Sequence, residues 1–287
     1  MKFVNVACGN SFVNSPEWIN FNFVANSPCV IASDLLKPLP LPSNSCDAVY
    51  SSHFFEHIPL HQLHLVLSDW RRVLKPTGVL RIVLPDCEEM FGEYLRLRAE
   101  NKHLYADFVI AEIVDQCVRS YPGGKMGRLY ELAASEQSHD KKFADFIKSR
   151  NGEDLSYFAL SPQVSRQSRK IHLPVIQRLF LRIKSSLLAR VRKLHQSFKR
   201  SCLTLLYGSA FVEQNISFSN VGERHHWLWD FHQVNKVLLE AGFSSVARHK
   251  HSTSSIPEFP FFPLDQLPNG SPRKGKESMY IEAVKLP

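Results

Sequence analysis

Val4-Asn5-Val6-Ala7-Cys8-Gly9-Asn10-Ser11 (VNVACGNS, residues 4–11) passes from an alternating apolar run into a turn of small residues around Gly9. A short apolar run that ends in turn residues reads as a β-strand. A glycine at its end lets the backbone bend sharply and come close to a ligand. At the carboxyl end of the first strand of a parallel sheet, that is where the topology leaves a binding crevice. The fold therefore turns on whether the following segments complete such a sheet.

They have the required grammar. WINFNF (18–23), CVIA (29–32), AVYS (48–51) and VLRIVL (79–84) are apolar runs too short for helices. Between the last two lies LHQLHLVLSDWRRVL, in which Leu63, Val66, Leu67, Trp70 and Val73 or Leu74 share one helical face. Lys75-Pro76-Thr77-Gly78 is the expected stop of that helix. Strand, helix, strand in this order predicts a βαβ crossover and parallel pairing. Near the C-terminus Asp230 is placed to cap a helix with Phe231, Val234, Val237 and Leu238 on one face, and Gly242 lies just past its end. SSVARH (244–249) and MYIEAVKL (279–286) follow as strands, separated by a Pro-, Ser- and Gly-rich loop over 252–277 that is too long for a tight hairpin.

The chain has 287 residues and 44% apolar content, enough for a full core. Six scattered cysteines without a C-x-x-C pair argue against a zinc knuckle and against a disulfide framework. No apolar run reaches the length of a membrane span, and the first strand starts almost at Met1 without a signal-peptide pattern, which predicts a cytoplasmic protein. The net charge of +8 is local: residues 155–212 hold eleven Lys/Arg and no Asp or Glu, and the rest is slightly acidic. Residues 100–221 break the strand–helix alternation and read as a mostly helical insertion, with a basic amphipathic helix near 174–200. Its apolar seam runs Ile176, Phe180, Ile183, Leu187, Val191, Leu194, Phe198. Such a helix predicts a solvated face, attraction to an anionic membrane surface, or contact with an anionic or lipid-linked substrate. Nucleic acid is disfavoured, because no aromatic stacking platform accompanies the charge.

Taken together, the segments VNVACGNS, WINFNF, DLLKPLPLPSNSCDAVYSSHFFEH and WRRVLKPTGVLRIVLPD, with GERHHWLWD, LLEAGF and RKGKESMYIEAVK near the end, resemble the class I S-adenosylmethionine-dependent methyltransferases, type 11 group. The resemblance covers roughly residues 2–99 and 222–286. It implies a methyltransferase domain over 1–99 and 222–287: a Rossmann-like, doubly wound, mostly parallel seven-stranded α/β sheet with an antiparallel C-terminal strand. It implies S-adenosylmethionine as cofactor, with Ala7, Cys8, Gly9 and Asn10 at the methionine part, Asn22 at the ribose, and Asp34 and Leu35 at the adenine. Ser51, Ser52 and His53 would face the methionine moiety or the substrate.

Two departures stand out. The group usually has Gly where this chain has Ala7, and Asp where it has Asn22. An amide accepts through one oxygen and brings no charge, which predicts weaker cofactor binding. In addition, only ten residues separate Ala7 from Trp18, too few for a crossover helix, a shortening that relatives with this loop share.

For methyl transfer to a hydroxyl or amine, the protein must align the nucleophile and accept its proton. His53, His225 and Asp86 are the principal candidates, with His57 and His226 beside them, and His225 and Trp227 are expected to close the pocket. The expected acceptor is a small molecule or a glycan- or lipid-linked group, methylated on oxygen. A non-catalytic binding protein on the same fold is the alternative. A second alternative, a zinc metallopeptidase, comes from His53, Glu56 and His57 in the order H-x-x-E-H. It is disfavoured because His53 directly follows a strand and Pro59 stands two residues after His57, so no helix carries both histidines. No metal ligands are therefore expected.

Overall fold

The computed structural model describes residues 1–134, 141–152, 155, 197–219 and 222–286. Seven strands form one sheet: β1 (Phe3–Val6), β2 (Trp18–Asn22), β3 (Val30–Ala32), β4 (Cys46–Ser52), β5 (Leu74–Pro85), β6 (Phe243–His249) and β7 (Ser278–Lys285). Their order is β3-β2-β1-β4-β5-β7-β6. The pairs among β1 to β5 are parallel, and β7 runs antiparallel to both β5 and β6. This is the mostly parallel seven-stranded sheet with one reversed strand that the sequence predicts.

The alternation in the strands sorts their side chains between two cores. Val4 and Val6 join a large cluster on one face with Val49, Leu80, Ile82 and Ile281. Helix α1 (Leu60–Val73) closes that face through Leu63, Val66, Leu67, Trp70 and Val73, the residues its periodicity selects. On the opposite face Phe3, Tyr50, Val83 and Tyr280 are covered by Ile256, Phe259 and Leu264. The loop over 252–277 thus does there what a helix layer does in a doubly wound sheet. A buried ion network secures it. Arg81 on β5, fully buried, contacts Asp265 and Glu282 at 2.7 Å each, and the Tyr50 hydroxyl donates to Asp265.

Two local expectations need correction. Helix α1 ends at Val73, and Leu74 already pairs with Cys46 as the first residue of β5. Lys75 to Gly78 form a bulge inside that strand, because the register jumps from Cys46↔Leu74 to Ala48↔Val79. The helix does stop just before the proline and glycine, and pairing with β4 carries those residues into the next strand as its bulge. The seam residue Phe198 is exposed, not buried.

After β5 come α2 (Cys87–Ala99), α3 (His103–Val118), α4 (Gly124–Ala134) and α5 (Lys141–Asn151). Arg150 of α5 binds Glu112 of α3 and Glu89 of α2 at 2.8 and 3.0 Å, joining the three helices. Further helices are α6 (197–207), α7 (Ser209–Asn215) and α8 (Phe231–Glu240). As predicted, the Asp230 side chain accepts from Gln233 N and caps α8. The basic helix expected near 174–200 lies outside the described residues except at 197–200.

Candidate functional site

Strand order reverses between β1 and β4, so the crevice outside their carboxyl ends is the switch point of the sheet. β1 leads into Ala7 to Asn10, and residues 7–17 form no helix before β2. Ala7 and Gly9 both take left-handed backbone conformations, with φ of 60° and 54°. A Cβ added at Gly9 would meet nothing within 4 Å, so the turn opens onto free space.

In the absence of a helix, side chains hold this loop. Asn26, after β2, donates to Gly9 O at 3.2 Å and Asn10 Oδ1 at 2.6 Å. Asn5 donates to Ser11 O, and Cys8 N to Phe21 O. Burial raises the Cys8 thiol to about 11, which keeps it neutral.

The other residues predicted at the cofactor sort clearly. Asn22, at the end of β2, donates its amide to Val24 O at 3.1 Å, which leaves its one oxygen as an acceptor. Asp34 accepts from Leu36 N in a turn after β3. Leu35 is buried in the core, backbone and side chain alike. Ser51 is also buried and donates to Val6 O, tying β4 to β1. The Ser52 hydroxyl accepts from Arg273 at 3.0 Å. A cavity of about 250 Å³ lies at the ends of β2, β3 and β4, lined by Phe23, Leu36, Phe54, His57, Arg224 and His226 among others.

The tip of β4 carries the chemistry. His53, one residue past the strand, also takes a left-handed conformation, with φ of 52°. Non-glycine residues rarely accept this strain, which tends to gather at functional sites. Phe55–His57 form a single 3-10 turn, so no helix spans both histidines of H-x-x-E-H and the peptidase arrangement is absent. The turn instead buries Glu56 among three imidazoles. His53 Nδ1 stands 3.4 Å from Glu56 Oε1, and the rings of His57 and His225 approach the same oxygen to 3.9 Å through Nε2. Burial raises the Glu56 carboxyl to about 8, lowers His57 to about 4, and pulls His53 and His225 below the usual imidazole range.

His225 reaches the cluster because the segment before α8 is pinned down. His225 N donates to Gln116 O of α3, and His226 N to Glu56 O at 2.7 Å. Trp227 is partly exposed and donates to Gln233, so it packs on α8. Asp86 caps α2 by accepting from Glu88 N, and its other oxygen binds Arg248 at 2.9 Å, which gives it a structural task outside the histidine cluster.

The structure brings His53 and His225, both candidates from the sequence, to the same carboxylate. Sequence reasoning missed Asn26, Arg273 and the burial of Glu56. Only Glu56 had a signal, its position three residues after His53.

Residues 15–82 match the model of a family described as a methyltransferase domain. None of the curated proteins matches the chain. Among solved structures, an S-adenosylmethionine-dependent methyltransferase from Mesorhizobium loti is 17% identical, covering 30% of this chain and 47% of its own, with a TM-score of 0.24. A SAM-dependent methyltransferase from Archaeoglobus fulgidus is 12% identical over 99% of this chain and 86% of its own, with a TM-score of 0.36. Geranyl diphosphate C-methyltransferase from Streptomyces coelicolor, solved with S-adenosyl-L-homocysteine, is 14% identical over 30% of this chain and 38% of its own, with a TM-score of 0.24. The chain spans 38%, 47% and 38% of the first three solved chains it matches. These similarities are weak, and the fold rests on the strand order itself. The strand order stands on its own, and residues 15–82 resemble a methyltransferase domain of the type 11 kind.

Proposed function

We propose that this protein transfers the methyl group of S-adenosylmethionine to a hydroxyl oxygen of a small molecule or a glycan- or lipid-linked acceptor. One observation carries the reading. The tips of two adjacent central strands, β1 and β4, each place a non-glycine residue, Ala7 and His53, in left-handed backbone at the switch point, and the turn at Gly9 stays open. Asn44, Thr77, Asn101, Ser245 and Glu258 share this backbone elsewhere, so the placement at two adjacent strand tips, and not the strain alone, supports the reading.

The residues present fit the cofactor. The main chain of Ala7 to Asn10 would hold the amino-acid end, Asn22 the ribose, and the turn at Asp34 the adenine edge. Phe23, Leu36 and Phe54 offer apolar walls at the same strand ends. The cavity there is below the ~300–1,000 Å³ usual for small-molecule sites, so binding requires the covering residues 222–226 to move outward. When bound, the sulfonium supplies an electrophilic methyl with a neutral leaving group. The protein must then align the acceptor and remove its proton. His53 is the proposed base, through Nε2 once the acceptor displaces Ser278 Oγ from it, and Glu56, 3.4 Å from Nδ1, would stabilise the imidazolium when it is ionised. Asp86 is left out because both of its oxygens are engaged. The basic segment 155–212 suits an acceptor or membrane surface of negative charge.

Calorimetric titration with S-adenosylhomocysteine tests the reading. One-site binding is expected, lost in Gly9→Val; the new side chain meets nothing within 4 Å but strains the left-handed backbone, so a cooperative urea transition of the variant must accompany the loss. No heat at millimolar ligand removes the proposal. Binding without turnover on any hydroxylated acceptor favours a non-catalytic binding protein, the reading that Ala7 and Asn22 suggest.

A further inference from the structure

Glu56 poses a problem that methyl transfer does not solve. Its side chain is 2% exposed, and neither oxygen has a hydrogen-bond partner among the described residues. His225 Nδ1 is buried and unpartnered in the same way. A carboxyl buried without a partner is costly, and a proton or a bound cation must complete it. What faces it are three imidazole nitrogens. His57 Nδ1 lies 2.8 Å from Arg224 O. A carbonyl can only accept, so Nδ1 carries the proton and Nε2 presents its lone pair to Glu56. A ring held in one tautomer by a carbonyl is the usual arrangement behind a metal-binding histidine. The rings of His57 and His225 stand edge to face with centroids 4.7 Å apart.

We propose that Glu56, His57 and His225 form a binding site for a divalent transition-metal cation, zinc foremost. One ligand atom from each lies within 4.8 Å of the others. Bonds of about 2.1 Å in tetrahedral geometry require ligand atoms roughly 3.4 Å apart. The two His–Glu gaps of 3.9 Å exceed this by about half an ångström, within reach of small side-chain rotations. Two imidazoles and one carboxylate suit zinc better than magnesium or calcium, which prefer all-oxygen sites. Lys274, Arg119 and Arg273 bear on the cluster with positive charge, so Glu56 is the one ligand that can meet the cation's charge. Because His57 also lines the cavity at the strand ends, a fourth ligand would come from there. His53, 3.4 Å from the same carboxylate and held by Ser278 at 3.0 Å, would orient it. This is not the peptidase pattern. The distant ligand is an imidazole from the segment before α8, and His53 is not a ligand.

The site does not depend on the methyl-transfer reading, and the test keeps the two apart. Full-length protein stripped with chelator is titrated with Zn²⁺ by calorimetry and with Co²⁺ by visible absorption. One equivalent of zinc and the absorption bands of a low-coordinate cobalt site are expected. His57→Gln and His225→Gln should each weaken zinc binding by a factor on the order of 100, while His64→Gln, on the exposed side of α1, leaves it unchanged. No stoichiometric binding, or equal affinity in all variants, overturns the site. Should either variant unfold, crystals of the wild-type chain soaked in zinc decide: an anomalous peak between the three residues supports the site, and a peak elsewhere or none overturns it. Protein that binds S-adenosylhomocysteine and not zinc loses the metal site and keeps the function; the reverse result does the opposite.

Discussion

Replacing Asn22 with aspartate should tighten cofactor binding. Asn22 ends β2 beside the opened loop, and its amide nitrogen is spent on Val24 O at 3.1 Å. One neutral oxygen is then left to meet two ribose hydroxyls. A hydrogen bond to a charged acceptor contributes about 1.5–3 kcal/mol against about 0.5–1.5 for a neutral one, and a carboxylate can accept both protons. The gain is therefore about 1–2 kcal/mol, or roughly 5- to 30-fold in affinity for S-adenosylhomocysteine. The bond to Val24 O is lost in the free and the bound protein alike. Its cost, up to about 1 kcal/mol at an exposed position, falls on stability and not on affinity. Calorimetry near neutral pH with both proteins measures the ratio, and urea unfolding measures the cost. The advantage should fade below pH ~4 as the new carboxyl protonates. Equal or weaker binding by a folded Asn22→Asp variant would refute the placement of the ribose at this strand end.

Three further outcomes follow from the same geometry. Ala7→Gly should raise stability to urea by up to about 1 kcal/mol, because left-handed backbone costs alanine about 1–2 kcal/mol and glycine's greater freedom when unfolded takes part of that back; an unchanged or lower midpoint contradicts the φ of 60°. Arg81→Met leaves Asp265 and Glu282 buried without their guanidinium and should cost about 3–5 kcal/mol. Without the guanidinium the Asp265 carboxyl, already raised by burial, titrates still higher in the folded state, while Ser254 and Ser255 continue to hold Glu282. The Asp265 stability contribution is then present at low pH and lost as pH rises, so the deficit should be smaller near pH 4 than near pH 8; a deficit independent of pH sinks the argument. Gly275→Ala puts a Cβ 2.1 Å from Arg150 O at a φ of 75° and should destabilise by roughly 3 kcal/mol or more, seen as a large fall in melting temperature.

What the sequence disclosed, and what it hid, follows the range of the forces involved. Strands and α1 were legible because period-2 and period-3.6 patterns report which side chains face a core, and Asp230 was legible because a cap acts within three residues. The bulge at Lys75 to Gly78 was not, because the proline and glycine mark only the end of the helix, and their place inside β5 is set by pairing with β4. Nor was the covering role of residues 252–277, since Ile256, Phe259 and Leu264 follow no helical or strand period and are recognisable as core only against the finished sheet.

The histidines show the limit most clearly. His53, Glu56 and His57 invite a local reading because they are adjacent, and adjacency suggests that the two histidines act as a pair. The 3-10 turn separates their roles: His53 is drawn back to Ser278 on β7, and His57 turns toward a residue 168 positions later. The position of His225 is set by backbone bonds to α3 and to the turn itself, none of which leaves a mark on composition or spacing. Glu56 becomes unusual only once the sheet, the α3 helix and the segment before α8 have together removed its water. A spacing motif can therefore name the ligand types of such a site, but which of them converge is decided by long-range packing.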